Sequence, residues 1–124
     1  MATASEIMST DVLTATADAD TWQVARLMLD RGFCGVPVVA SDAALVGMVS
    51  GFDVISKKGN TIGDIMSRGV VWANPTDSFD DVVQLMGLHG IRRVPVCVDG
   101  RIVGIISRSD LLRFRTNEHE KANT

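Results

Sequence analysis

The feature that most constrains this chain is that it contains itself twice. Ile7-Met8-Ser9 recurs as Ile65-Met66-Ser67, Leu27-Met28 as Leu85-Met86, Gly32 as Gly90, and Val36-Pro37-Val38 as Val94-Pro95-Val96, all at one spacing. Past the next turn the spacing shortens by one residue. Gly47-Met48-Val49-Ser50-Gly51-Phe52-Asp53-Val54 then returns as Gly104-Ile105-Ile106-Ser107-Arg108-Ser109-Asp110-Leu111. A fixed period of this kind marks one supersecondary unit used twice. The copies run over 7–55 and 65–112, with a linker at 56–64 and a C-terminal tail at 113–124. One copy alone buries little core. Two copies packed sheet against sheet about a pseudo-two-fold axis make a plausible folding unit.

Within each copy the pattern reads β-α-β-β-α. Val12-Leu13-Thr14 and Val70-Val71-Trp72 are short β-prone runs. The helix that follows carries an apolar stripe, Trp22, Val24, Ala25, Leu27 and Met28 in the first copy and Phe79, Val82, Val83, Leu85 and Met86 in the second. Asp20 with Gln23, and Ser78 with Asp81, fit capping arrangements at the helix starts, and Gly32 suits a helix end. Pro37 removes a ladder donor, which places it at a strand start or edge. Asp99-Gly100 is a type I′ hairpin signal, and Ser41-Asp42 marks the corresponding turn. Gly47 and Gly104 are read as bounding the ends of buried strands, with Ser50 and Ser107 opening helices. The polar tail from Thr116 is expected to fray.

Composition excludes several classes. Twelve basic and fifteen acidic residues, net charge −3, argue against a nucleic-acid surface. No apolar run reaches the roughly 20 residues that span a bilayer, and Met1 to Thr10 lacks the pattern of a secretory signal. Cys34 and Cys97 match no metal spacing and are read as buried small hydrophobes in a reducing cytosol. His89 and His119 are isolated, so no metal site is expected. No Gly-x-Ser-x-Gly elbow or placed histidine accompanies Ser107 and Asp110, so no catalytic residue is assigned.

The Ser-x-x-Asp elements have a purely structural reading as capping boxes, worth about 1 kcal/mol to a helix. They also have a chemical one. A carboxylate can accept both hydroxyl protons of a ribose diol, and the N–H groups at a helix start attract phosphate. Arg92-Arg93, just before Val94-Pro95, is either a solvated pair or a phosphate clamp. Trp22 is a half-buried helix residue or a dimer contact, and Met8, Met28, Met66 and Met86 are core or interface residues.

These residues together, twice in tandem, resemble a pair of CBS (cystathionine β-synthase) domains, a Bateman module, over nearly the whole chain. The resemblance implies an α/β (α+β) fold of tandem repeats. It also implies a non-catalytic regulatory module that needs no cofactor and binds an adenosine compound: AMP, ADP, ATP, S-adenosylmethionine or NAD. One site would use Asp110, Ser107 and Arg108 with Thr14, Gly35, Val36 and Pro37. The other would use Asp53 and Ser50 with Trp72, Arg93, Val94 and Pro95, and Arg92 or Arg93 would reach phosphate. Arg108 stands where the first copy has Gly51, and Trp72 where it has Thr14, which favours the Asp110 site. The resemblance further implies a cytoplasmic homodimer acting on an unnamed partner protein. The alternatives are a ligand-free structural or interaction module and, more weakly, a nucleic-acid binder.

Overall fold

The computed structural model describes residues 2–123. Its elements in order are α1 (Ala4–Ile7), α2 (Thr21–Arg31), β1 (Gly35–Val39), β2 (Leu45–Ser50), α3 (Gly51–Ser56), α4 (Ile62–Ile65), α5 (Phe79–His89), β3 (Arg93–Val98), β4 (Arg101–Ser107) and α6 (Arg108–Ala122). They form two compact units. One is Leu13–Val70. The other joins the residues up to Val12 with those from Val71 onward.

In the Leu13–Val70 unit, β1 and β2 form an antiparallel hairpin with Gly35 opposite Ser50 and Pro37 opposite Met48. The hairpin is bordered on both sides by single bridges, Ala15 with Val38 and Met48 with Ser67. The other unit repeats this plan. There β3 pairs with β4, Arg93 opposite Ser107 and Pro95 opposite Ile105, and the bordering bridges are Ala73 with Val96 and Ser9 with Ile105.

The strands expected at Val12-Leu13-Thr14 and Val70-Val71-Trp72 do not form, and each is replaced by a one-residue parallel bridge. The proline is the cause. Ala15 donates to the Pro37 carbonyl (3.0 Å) and accepts from Val39 N–H (2.8 Å). Extending this ladder back to Leu13 would require an N–H from Pro37, which proline lacks. The same holds at Ala73, bonded to the Pro95 carbonyl and to Cys97 N–H.

Each unit has its own core. Val24, Met28, Val36, Val38, Val49, Ile62, Ile65 and Met66 fill one. Ala4, Ala73, Val82, Met86, Val94, Val96, Ile106 and Leu111 fill the other. The short helices therefore do not stay with the sequence copy that contains the adjoining Met-Ser: α1 packs with β4, α5 and α6, while Ile62, Ile65 and Met66 serve the β1–β2 core.

Gly47 and Gly104 lie inside strands rather than at their ends. A Cβ on Gly47 would stand 2.7 Å from Met66 Sδ, and one on Gly104 would collide with Met8 Sδ. The two recurring motifs, Ile-Met-Ser and Gly-apolar-apolar-Ser, are thus the two halves of one contact.

Caps follow the sequence. The Asp20 carboxylate accepts from Trp22 and Gln23 N–H. Ser78 and Asp81 form a reciprocal capping box, and Gly32 and Gly90 close their helices with φ of 70° and 62°. Asp99 and Gly100 both have positive φ, as a type I′ turn requires. The tail does not fray at Thr116, because α6 continues to Ala122. Phe114 stacks on Phe79 with centroids 5.7 Å apart, and Arg115 lies 4.5 Å over the same ring, holding the helix against α5. Trp22 is largely exposed. Cys97 is buried, but Cys34, expected inside, is exposed because it sits in the bend just before β1.

Candidate functional site

The end of β4 gathers the most chemistry. Ser107 caps α6: its Oγ accepts from Asp110 N–H (3.2 Å), and Asp110 Oδ2 accepts from the Ser107 amide (2.8 Å) and hydroxyl (3.0 Å). The pairing of Arg93 with Ser107, and an Arg108 N–H bond to the Arg92 carbonyl (3.0 Å), bring Arg92, Arg93 and Arg108 to this strand end. Asp110 Oδ1 faces Arg113 Nη1 at 3.1 Å.

The corresponding junction on β2 has the same backbone and different side chains. Ser50 accepts from Asp53 N–H (3.0 Å), and Asp53 Oδ2 accepts from Ser50 N–H (2.8 Å). Gly51 N–H bonds the Cys34 carbonyl (2.8 Å), and Gly35 pairs with Ser50. The three arginine positions are here held by Cys34, Gly35 and Gly51. Asp53 is more buried than Asp110 and is held by Lys57, whose Nζ lies 3.0 Å from Oδ1 and donates to the Ile65 carbonyl at 3.1 Å. Neither Lys57 nor Arg113 figured among the sequence candidates. The signal available was a basic residue three or four places after each Asp, which is contact spacing on a helix.

Burial pushes the Asp53 carboxyl up, but the Ser50 amide and hydroxyl and the Lys57 ammonium outweigh it, so the group sits below the ordinary carboxylate range. A carboxyl more acidic in the folded state stabilises fully above its unfolded pKa, and that stability is lost as pH falls through the folded value. Stability measured between about pH 5 and pH 3 should therefore decline less steeply in Asp53→Asn than in the parent protein. An unchanged slope would remove Asp53 as a contributor.

The purine-facing candidates divide between the units. Thr14 is half-buried beside Ala15, in the same unit as buried Gly35, Val36 and Pro37. Trp72 adjoins Ala73 and belongs with Arg93, Val94 and Pro95. Trp72 is 45% exposed. Each unit thus holds one Ser-x-x-Asp junction and one proline-bearing strand.

The CBS domain family matches the chain twice, over residues 4–59 and 62–117. The chain belongs to the CBS domain family. Its two matches form a tandem CBS pair with mixed helix and strand. It is 32% identical over 115 residues to the protein MJ1225 of Methanocaldococcus jannaschii, covering 88% of this chain but only 41% of that relative's length. It is 31% identical over 118 residues to the CBS domain-containing protein YhcV of Bacillus subtilis, covering 90% of this chain and 84% of YhcV. The solved CBS domain pair of MJ0100, in complex with 5′-methylthioadenosine and S-adenosyl-L-methionine, superposes with a TM-score of 0.86 at 26% identity, covering 95% of this chain and 98% of that one. Among the described residues of this CBS pair, no helix is long and apolar enough to cross a membrane, and no three or more His, Cys, Asp or Glu side chains come together as a group that could hold a metal ion.

Proposed function

We propose that this CBS pair is a regulatory module that binds an adenosine-containing ligand and passes its occupancy to a partner protein without catalysing a reaction. Asp110 and Ser107, and Asp53 and Ser50, are the ribose ligands. Arg108, with Arg92 and Arg93, receives phosphate. Thr14, Gly35, Val36 and Pro37, and Trp72, Val94 and Pro95, provide the surfaces on which a purine lies. The observation that carries this reading is the end of β4, where the backbone brings the positions of three arginines, a residue type suited to phosphate, to the strand end that leads into a capped carboxylate of the kind that binds a diol. The adenosine ligands of the MJ0100 pair support the same class of ligand. We place the module in the cytoplasm as a homodimer, for which the exposed Leu29, Phe52, Ile55, Leu88 and Leu112 supply apolar helix surface.

Titration calorimetry with AMP, ADP, ATP, NAD and S-adenosylmethionine tests the reading. At least one should give heat and, at a hundredfold excess over its Kd, raise the melting temperature by roughly 8 °C. In a Trp22→Phe protein the remaining Trp72 fluorescence should change on binding. Absence of heat, thermal shift and fluorescence change across the panel refutes it. One observation favours a ligand-free scaffold as the second reading: both carboxylates already have partners in their own capping boxes. Purified protein carrying no nucleotide and deaf to the panel is its expected outcome.

A further inference from the structure

We propose that the segment Thr3–Ser9 is a strap that closes over the β4–α6 junction, and that its closing is coupled to ligand at that junction. This role rests on the proposed ligand site at the end of β4. Both polar groups of the Ile105 backbone are committed to the strap. Ser9 donates to the Ile105 carbonyl and accepts from Ile105 N–H, each at 2.9 Å. Ile105 lies two residues before Ser107. Its partner in β3 is Pro95, which has no N–H to offer in place of Ser9. Beyond the junction, Ala4, Ile7 and Met8 pack in one core with Leu111, the residue after Asp110. The strap thus braces the Ser107–Asp110 turn from both ends.

A second copy of the motif shows how firmly such a strap can be held. Ile62–Ser67 lies against β2, and Ser67 exchanges two backbone bonds with Met48 (2.8 and 2.9 Å). It buries Ile62, Ile65 and Met66, and the Thr61 amide donates to the Asp64 carboxylate (3.3 Å). At the matching positions the Thr3–Ser9 strap has Ala4, Ile7 and Met8, with Ile7 and Met8 only half-buried. Its Glu6 carboxylate is turned to the Thr3 hydroxyl (3.2 Å), and no side chain caps α1. A smaller side chain, shallower burial and a missing cap each lower the free energy of local opening. The Thr3–Ser9 strap therefore opens while the rest of the fold stays intact. A ligand that needs Ser107 and Asp110 in place binds the closed form and suppresses the opening. By linkage, the strap becomes the element through which occupancy is read.

Hydrogen exchange on the full chain, resolved by amide, tests this. The strap reporters are the amides of Ala4, Ser5 and Ser9, bonded to the Asp77, Pro75 and Ile105 carbonyls, and the Ile105 amide. Those of the second strap are Met48 and Ser67. Without ligand, the first group should exchange together, at least about tenfold faster than the second after correction for intrinsic rates. Ser9→Pro removes one of the two bonds to Ile105. Met8 is already extended (φ −64°, ψ 153°), as the residue before a proline must be. This variant should speed exchange at Ala4, Ser5 and Ile105 about fivefold, whereas Ser67→Pro should leave those amides unchanged. AMP, or the tightest binder of the calorimetry panel should AMP give no heat, is then added at a hundredfold excess over its Kd. It should slow the strap amides about a hundredfold, and only about fourfold in Asp110→Asn at the same concentration.

Strap amides as slow as those of Met48 and Ser67, exchanging only when the whole molecule unfolds, overturn the proposal. So does a ligand that gives heat and leaves strap exchange unchanged. In that case the proposed function stands and only the role of the strap falls. If no member of the panel gives heat, the proposed function falls and the coupling falls with it.

Discussion

Gly47→Ala will lower stability by about 3 kcal/mol, and trimming the methionine above it will not fully restore the loss. The added Cβ meets Met66 Sδ at 2.7 Å and the Ser67 carbonyl oxygen at 2.9 Å. The methionine can swing away, since its thioether chain is flexible. The carbonyl cannot, because it accepts Met48 N–H at 2.9 Å while Ser67 N–H bonds the Met48 carbonyl at 2.8 Å. Relief requires breaking the bridge that borders β2. At Gly104 the three atoms nearest the corresponding Cβ all belong to Met8, namely Sδ, Cγ and, at 3.1 Å, Cβ. Gly104→Ala should therefore cost less, about 2 kcal/mol, and Met8→Ala should recover most of that. Denaturant unfolding of the two double-mutant cycles gives the check. The coupling between 104 and 8 should exceed that between 47 and 66 by about 1 kcal/mol. Full rescue of Gly47→Ala by Met66→Ala would show that the Ser67 carbonyl is not the obstacle.

Asp110→Asn will weaken nucleotide binding about thirtyfold, the worth of a charge-assisted contact to a hydroxyl pair. Asparagine is the informative replacement because its amide oxygen can still accept the Ser107 amide, so α6 keeps its cap. Alanine would remove the ribose contact and about 1 kcal/mol of helix stability together. The melting temperature of the unliganded variant should stay near that of the parent, while calorimetry with AMP records the loss. Asp53→Asn should weaken AMP less, since that junction has Gly51 where the other has Arg108 at its helix start. A larger loss from Asp53→Asn than from Asp110→Asn would reverse the ranking of the two sites.

Much of the local structure was legible because it is written in spacings of three or four residues. Ser50 with Asp53 and Ser107 with Asp110 form the reciprocal boxes their spacing announces, and Asp99-Gly100 makes the turn its backbone freedom allows. The candidate site was legible to the same depth, since the junctions themselves are short-range objects. The misread strands at Val12-Leu13-Thr14 and Val70-Val71-Trp72 had the right composition. What ended them was a missing donor on Pro37 and Pro95, which acts only once the segment's partner strand is known. The C-terminal helix was underestimated because its anchor, Phe114 on Phe79, joins residues far apart in the chain.

The sequence by itself determined that one unit is used twice, where its helices are capped, and that each copy ends a strand in a hydroxyl and a carboxylate. It could not determine which methionine covers which glycine. Both copies carry the same Met and the same Gly, so exchanging the partners leaves the pattern unchanged. Only the tertiary structure decided that Met8 lies on Gly104 and Met66 on Gly47, so that each core is completed by a segment from the other copy. Only the structure, too, brought Lys57 to the Ile65 carbonyl as well as to Asp53. Short-range hydrogen bonds depend on neighbours along the chain, whereas close packing depends on which distant surfaces meet.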